Sequence, residues 1–293
     1  MPMEILRKYT LADVDSRNPA AVAAHVTKLY NDVFPGRDTG FVSCWFDHVE
    51  RMFSGNYKDF QKIDTVYHDL EHTMQATLCF VRIFCNRQLL GIQPQMTARD
   101  FEIGLVGILM HDVGYLKEKE DTDGTGAKFT FVHELRSCEM AAICLEEAGW
   151  KKQDVFQVQH LISCTGPRAT IDAIPFRNPL EKILGLGVCT ADYLGQMSDP
   201  GYVDKLPPLF KEFEESDNYR NIPLEKRLFK SADEMLKKTP GFWKHIVLPK
   251  LENECQGLYR YLAVPYPDGP NPYIAAVEEN IERIQNGRYA VMA

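Results

Sequence analysis

Apolar residues recur along nearly the whole chain at three- and four-residue steps, and no strand-like alternation persists for more than a few positions. That periodicity restricts the 293 residues to an all-α fold, expected as a compact multi-helix bundle. Asn18 caps and Pro19 opens a helix that reaches about Phe34 and stops at Pro35-Gly36. Residues 66–89 read as one long helix with Val66, Leu70, Met74, Leu78 and Val81 on a single face. The segment 99–111 is apolar on nearly every side. Further helices read at 132–148, 152–164, 179–197, 202–216, 224–238, 241–263 and 272–286. A polar, glycine-containing loop at 117–128 and a proline-marked connection from Thr165 to Pro179 punctuate them. The one linker-like run, Pro265–Pro272, lies too near the carboxyl end to divide the chain, so a single domain over 1–293 is expected.

Within this helical pattern one adjacent pair has no packing rationale. His111-Asp112 directly follows Gly104–Met110, a run that is apolar or glycine throughout. A lone carboxylate at the end of a buried helix is costly to desolvate, so it should be paired or metal-bound. Asp192 repeats the theme, ending the apolar stretch that starts at Ile183. His68 and His72 are four apart on the expected 66–89 helix and project from one face, a turn apart. Such a pair supplies two ligands, or one ligand and an adjacent acid; taken alone it reads first as a polar patch on a half-exposed helix. His133 opens a helix and His160 lies on an apolar one, where a hydrogen-bonded core histidine is the ordinary reading; their company raises both as ligands. His25, His48 and His245 have no such company and read as structural or surface residues.

The remaining composition excludes some functions. The net charge is −8 with dispersed basic residues, which argues against a nucleic-acid partner. An anionic substrate stays open, because a bound cation would dominate its local field. The eight cysteines form no CxxC pair and several lie in apolar helical runs, as expected of buried free thiols in a reducing compartment. The amino-terminal residues lack a signal-peptide core and no apolar run reaches spanning length, so a cytoplasmic protein without a membrane partner is expected.

The order His72, His111-Asp112, Asp192 on helices resembles the HD superfamily of metal-dependent phosphohydrolases, over a motif core of about 65–195. The similarity extends to class I cyclic-nucleotide phosphodiesterases, whose Tyr-His-Asn-x-x-His motif is here Tyr67-His68-Asp69-Leu70-Glu71-His72. The stretch Gly241-Phe242 to Ile246-Val247-Leu248-Pro249 is also similar to the Gly-Phe…Ile-Val-His-Pro segment of those enzymes. The resemblance implies an all-α fold with a metal site in a central cleft. It implies that His72, His111, Asp112 and Asp192 hold a first ion, that Asp112 bridges to a second, and that His68 protonates the leaving oxygen. Tyr67, Thr239 and Phe242 would line the substrate, Phe242 by stacking on a base.

Departures temper the likeness. HDxxHPG is absent, Asp69 replaces the motif's Asn, and Thr239 stands where a glutamine grips the purine edge. Threonine makes no bidentate amide contact, so weak discrimination between cAMP and cGMP is expected. His133 and His160 instead resemble the ligands of HD proteins whose second ion is fully protein-held, and of inositol-oxygenase-like diiron oxygenases. Carboxylate and imidazole suit two divalent ions of Zn, Mg, Mn or Fe alike. The favoured activity is hydrolysis of a cyclic nucleotide or related small phosphate ester by a metal-activated water at a binuclear site. The alternatives are a diiron oxygenase, a phosphomonoesterase or nucleotidase of the same superfamily, or a binding protein that has kept the site.

Overall fold

The computed structural model describes residues 6–166 and 169–288, and every regular element among them is helical. One isolated bridge, Phe60 to Glu118, is the only strand-like pairing among these residues. Residues 1–5, part of the segment read as lacking a signal-peptide core, lie outside the described residues. So do 167–168, in the proline-marked connection, and 289–293.

Helix α1 spans Pro19–Val33, with the Asn18 side chain accepting from the Ala21 N–H as its sequence predicts. Helix α2, Gly40–Phe53, is absent from the sequence reading. Its buried Val42, Trp45, Phe46, Val49, Met52 and Phe53 carry the three-four spacing that marks it. Next come α3 (Leu70–Leu89), α4 (Ala98–Met110), α5 (His133–Glu147), α6 (Lys152–Ile162), α7 (Pro179–Met197) and α8 (Tyr202–Tyr219). The expected 66–89 helix begins late because Asp69 acts as its cap, accepting from the His72 N–H at 2.9 Å. His68 therefore precedes the helix instead of riding on it.

The carboxyl-terminal third departs further from expectation. The two helices expected at 224–238 and 241–263 are not separate elements; after a 3-10 turn at Leu224–Lys226, α9 starts at Ala232 under a Ser231 cap and reaches Phe242. It runs on through wide, π-helical turns at Trp243–Val247 and Lys250–Glu254. Pro240 thus lies inside a helix where it reads as a stop, and the wide turns take up the irregular hydrogen bonding around it and Pro249. A short 3-10 turn at Leu258–Leu262 and α10 (Pro272–Gln285) complete the chain.

Helices α3, α4 and α7 pack against one another at the centre, with α1 and α2, α5 and α6, and α8 to α10 around them. One hydrophobic core reaches from Tyr9 to Ile284. The contact of α3 with α7 depends on Gly195, where a Cβ would lie 2.7 Å from the Ala76 backbone. That close approach brings the start of α3 beside Asp192. No helix among the described residues is long and apolar enough to cross a membrane. All eight cysteines are free and all but Cys44 are buried.

Candidate metal centre

Three helix segments bring four side chains to one point. His72 sits in the first turn of α3, His111 caps the end of α4 with Asp112 next to it, and Asp192 lies in the last turns of α7. The His72 and His111 Nε2 atoms are 3.3 Å apart. Asp112 Oδ2 lies 3.1 Å from the first and 3.2 Å from the second. Asp192 Oδ1 lies 3.3 and 3.6 Å from the same two nitrogens. Ligand bonds of about 2.0–2.2 Å at angles of about 90–110° put donor atoms about 2.8–3.6 Å apart, so the spacing is that of ligands around one ion.

The donor chemistry fits as well. His111 Nδ1 donates to the Ile108 carbonyl at 2.7 Å, which leaves an Nε2 lone pair facing the cluster. Asp112 Oδ2 is buried without a hydrogen-bond partner among the described residues, an acceptor turned toward both imidazoles. His72, His111 and Asp112 form a group of possible metal ligands whose donor atoms all lie within 4.8 Å of one another.

Without a cation, protons take its place. Burial pulls His72 down, but the adjacent Asp112 and Asp192 carboxylates outweigh it and hold the imidazole at about 9. Burial likewise works against His111, and Asp112 beside it raises it well above its ordinary value. Both carboxyls are driven down by the two imidazoles against the opposing effect of burial. The sign of the linkage follows from these directions. His72 contributes stability that is complete below its free value of 6.5 and lost as pH rises through about 9. The carboxylates contribute stability above their free value of 3.8 that is lost as pH falls. Chelated protein should therefore lose thermal stability between pH 6.5 and about 9, whereas ion-loaded protein should not. Melting curves of both forms at pH 6 and pH 9 check this; an unchanged gap between them would count against a shared proton-and-cation site.

Asp112 also faces the other way. Its Oδ1 lies 3.5 Å from His133 Nε2, and His133 Nδ1 donates to the Thr130 carbonyl at 2.8 Å. Gly114 makes this approach possible, since a Cβ there would lie 2.0 Å from the His133 carbonyl oxygen. His160, in the last turn of α6, has its Nδ1 2.6 Å from buried Glu181, so its Nε2 is again the outward nitrogen. Side-chain exposure rises from 1–4 % at His111, Asp112 and His72 to 10 % at His133 and 14 % at His68 and Asp192, while His160 pairs with Glu181 and with none of these side chains among the described residues. The cluster has a buried floor and a more open side.

His68, although off the helix, keeps its place beside the cluster, its ring 5.7 Å from that of His72. Its Nδ1 lies 2.5 Å from Glu212, which also accepts from the backbone N–H groups of Tyr67 and His68. The Tyr115 ring stacks at 4.5 Å from both His68 and His133. Tyr67 is buried; its hydroxyl donates to Gln196 Oε1 at 2.5 Å, and Gln196 Nε2 donates to Asp192 Oδ1 at 3.2 Å. Tyr67 is thus tied to a candidate ligand through an amide. Thr239 is buried with its hydroxyl bound to the Met235 carbonyl at 2.8 Å. Phe242 is half-buried, 6.3 Å from the ring of Tyr193, the neighbour of Asp192.

Glu181, Gln196, Glu212 and Tyr115 went unnoticed in the sequence. Gln196 had a signal, four residues after Asp192 on one helix. Glu212 had none, since it sits in the charged run Lys211–Glu215 that reads as a solvated face.

The helical arrangement is that of a phosphodiesterase-like bundle. It is similar to the phosphodiesterase domain of the RhoPDE fusion protein from the choanoflagellate Salpingoeca rosetta, with a TM-score of 0.56 and 13% identity over 95% of this chain and 93% of that one. The chain belongs to the Npun_R2479-like family, which residues 52–264 match. No match is found among curated proteins.

Proposed function

We propose that the protein is a metal-dependent phosphohydrolase of the HD type, acting on a cyclic nucleotide or related small phosphodiester. The observation that carries this reading is the convergence of His72, His111, Asp112 and Asp192 on one point, with His68 poised beside it. In this reading those four side chains would hold a first divalent ion, and Asp112, His133 and His160 would hold a second. Such ions would supply Lewis acidity to a phosphate ester and to an attacking water.

The chain's own groups divide the remaining work. His68, held through Nδ1 by Glu212, is the group that would give a proton to the leaving oxygen. Gln196 and Tyr67 keep Asp192 oriented. Phe242 offers an aromatic face to the base, while Thr239 gives it no amide contact, so adenine and guanine are distinguished weakly. An oxygenase would need the same ligands but no leaving-group acid, and the His68–Glu212 pair favours the hydrolase.

Protein purified without chelator and supplied with Mn or Zn should hydrolyse bis-p-nitrophenyl phosphate, and cAMP and cGMP at comparable rates. Chelation should stop the reaction. Failure on all phosphodiesters, with substrate-dependent dioxygen uptake by iron-loaded protein, would overturn the proposal in favour of the oxygenase.

A further inference from the structure

Tyr115 lies three residues after Asp112, is 1 % exposed, and meets the centre with the face of its ring. Its ring centre is 4.5 Å from that of His68 with 16° between the planes, and 4.5 Å from that of His133 with 18°. The two imidazole centres are 6.1 Å apart. On opposite faces of the phenol they would be separated by twice the carbon contact distance, roughly 7 Å. They therefore share one face, side by side. Among the described residues the Tyr115 hydroxyl has no hydrogen-bond partner, so the ring is what this position supplies.

The ring is itself held in place. In the 3-10 turn Val113–Tyr115, the Tyr115 N–H donates to the Asp112 carbonyl at 3.1 Å. The Gly114 N–H donates to Ser137 Oγ at 2.9 Å, and Arg136 Nε donates to the Gly114 carbonyl at 2.7 Å. These bonds fix Tyr115 between Asp112 and α5, the helix that carries His133. His68 lies on a bend outside any helix, and its imidazole is tethered through Nδ1 to Glu212. One hydrogen bond settles which nitrogen faces outward but lets the ring turn about the bond, because that torsion has broad wells. A flat neighbour removes the freedom. Given the phosphohydrolase reading, we infer that Tyr115 is a positioning residue. Its ring sets the plane of the His68 imidazole and its distance from His133, so that His68 Nε2 is aimed at the leaving oxygen.

Two readouts on the full chain supplied with Zn, with Tyr115→Phe and Tyr115→Leu beside the wild type, test this. The first is the rate on cAMP divided by the rate on bis-p-nitrophenyl phosphate, since the alkoxide needs the acid and the nitrophenolate does not. Tyr115→Leu should lower that ratio at least about tenfold, within the range that a misplaced acid costs. Tyr115→Phe, which keeps the ring, should restore it. The second is the NMR position of the His68 and His133 Cε1 protons, which an aromatic face displaces upfield. Both should be displaced in wild type and Tyr115→Phe and return toward the free-histidine position in Tyr115→Leu. The wild-type and Phe spectra decide the question if the Leu variant does not fold. Equal losses on both esters, a Phe variant as impaired as Leu, or an undisplaced His68 proton in wild type would overturn the inference. Displaced protons in a wild type inactive on both esters would overturn the phosphohydrolase reading, and the positioning of an acid with it.

Discussion

Asp112→Asn is expected to strip the centre of its ions and reduce hydrolysis at least ~10³-fold, the rate equivalent of the several kcal/mol that bound cations supply. Asp112 is the side chain with one oxygen toward each group of histidines, Oδ2 toward His72 and His111 and Oδ1 toward His133. An amide keeps the shape but loses the charge and offers only one oxygen. The isolated change also leaves two buried imidazoles without their nearest carboxylate. In metal-free protein such a half-broken pair costs about 3–5 kcal/mol. Metal content and turnover should fall together, while helical content in circular dichroism at 20 °C is retained. A variant with full metal content and full activity would show that Asp112 is only a helix-end residue.

His68→Asn should behave in the opposite way: metal content unchanged, turnover lower by about 10²–10⁴-fold, the scale of general acid catalysis. The loss should depend on the leaving group. A p-nitrophenolate leaves without help, so its ester should lose least, whereas an alkoxide, as in a cyclic nucleotide, should lose most. A purely structural role for His68 would affect both esters alike. Loss of an ion in this variant would make His68 a ligand instead.

The legible part of the candidate centre consisted of residues that broke a strong local pattern. His111-Asp112 and Asp192 end apolar stretches, and His72 lies one turn into a helix whose face is otherwise apolar, so charge at those points needed a partner. The helix start at Asp69 was not legible, because the apolar period runs back through Val66 and outweighs a single capping residue; yet Val66 is exposed. The groups that orient the histidines were hidden for a different reason. Glu181 and Glu212 are single acids in amphipathic helices, where an acid ordinarily faces solvent, and only tertiary packing buries them against His160 and His68. The wide turns after Phe242 were missed because proline spacing alone cannot tell a helix stop from a helix that absorbs the irregularity.

Anomalous diffraction from crystals grown with Mn or Zn tests the metal centre most directly. The expected result is a peak within about 2.0–2.3 Å of His72 Nε2, His111 Nε2 and a carboxylate oxygen of both Asp112 and Asp192. A second peak on the His133 side of Asp112 is expected beside it. A fully loaded crystal with its ions elsewhere, or with no ion among these four side chains, would contradict the assignment.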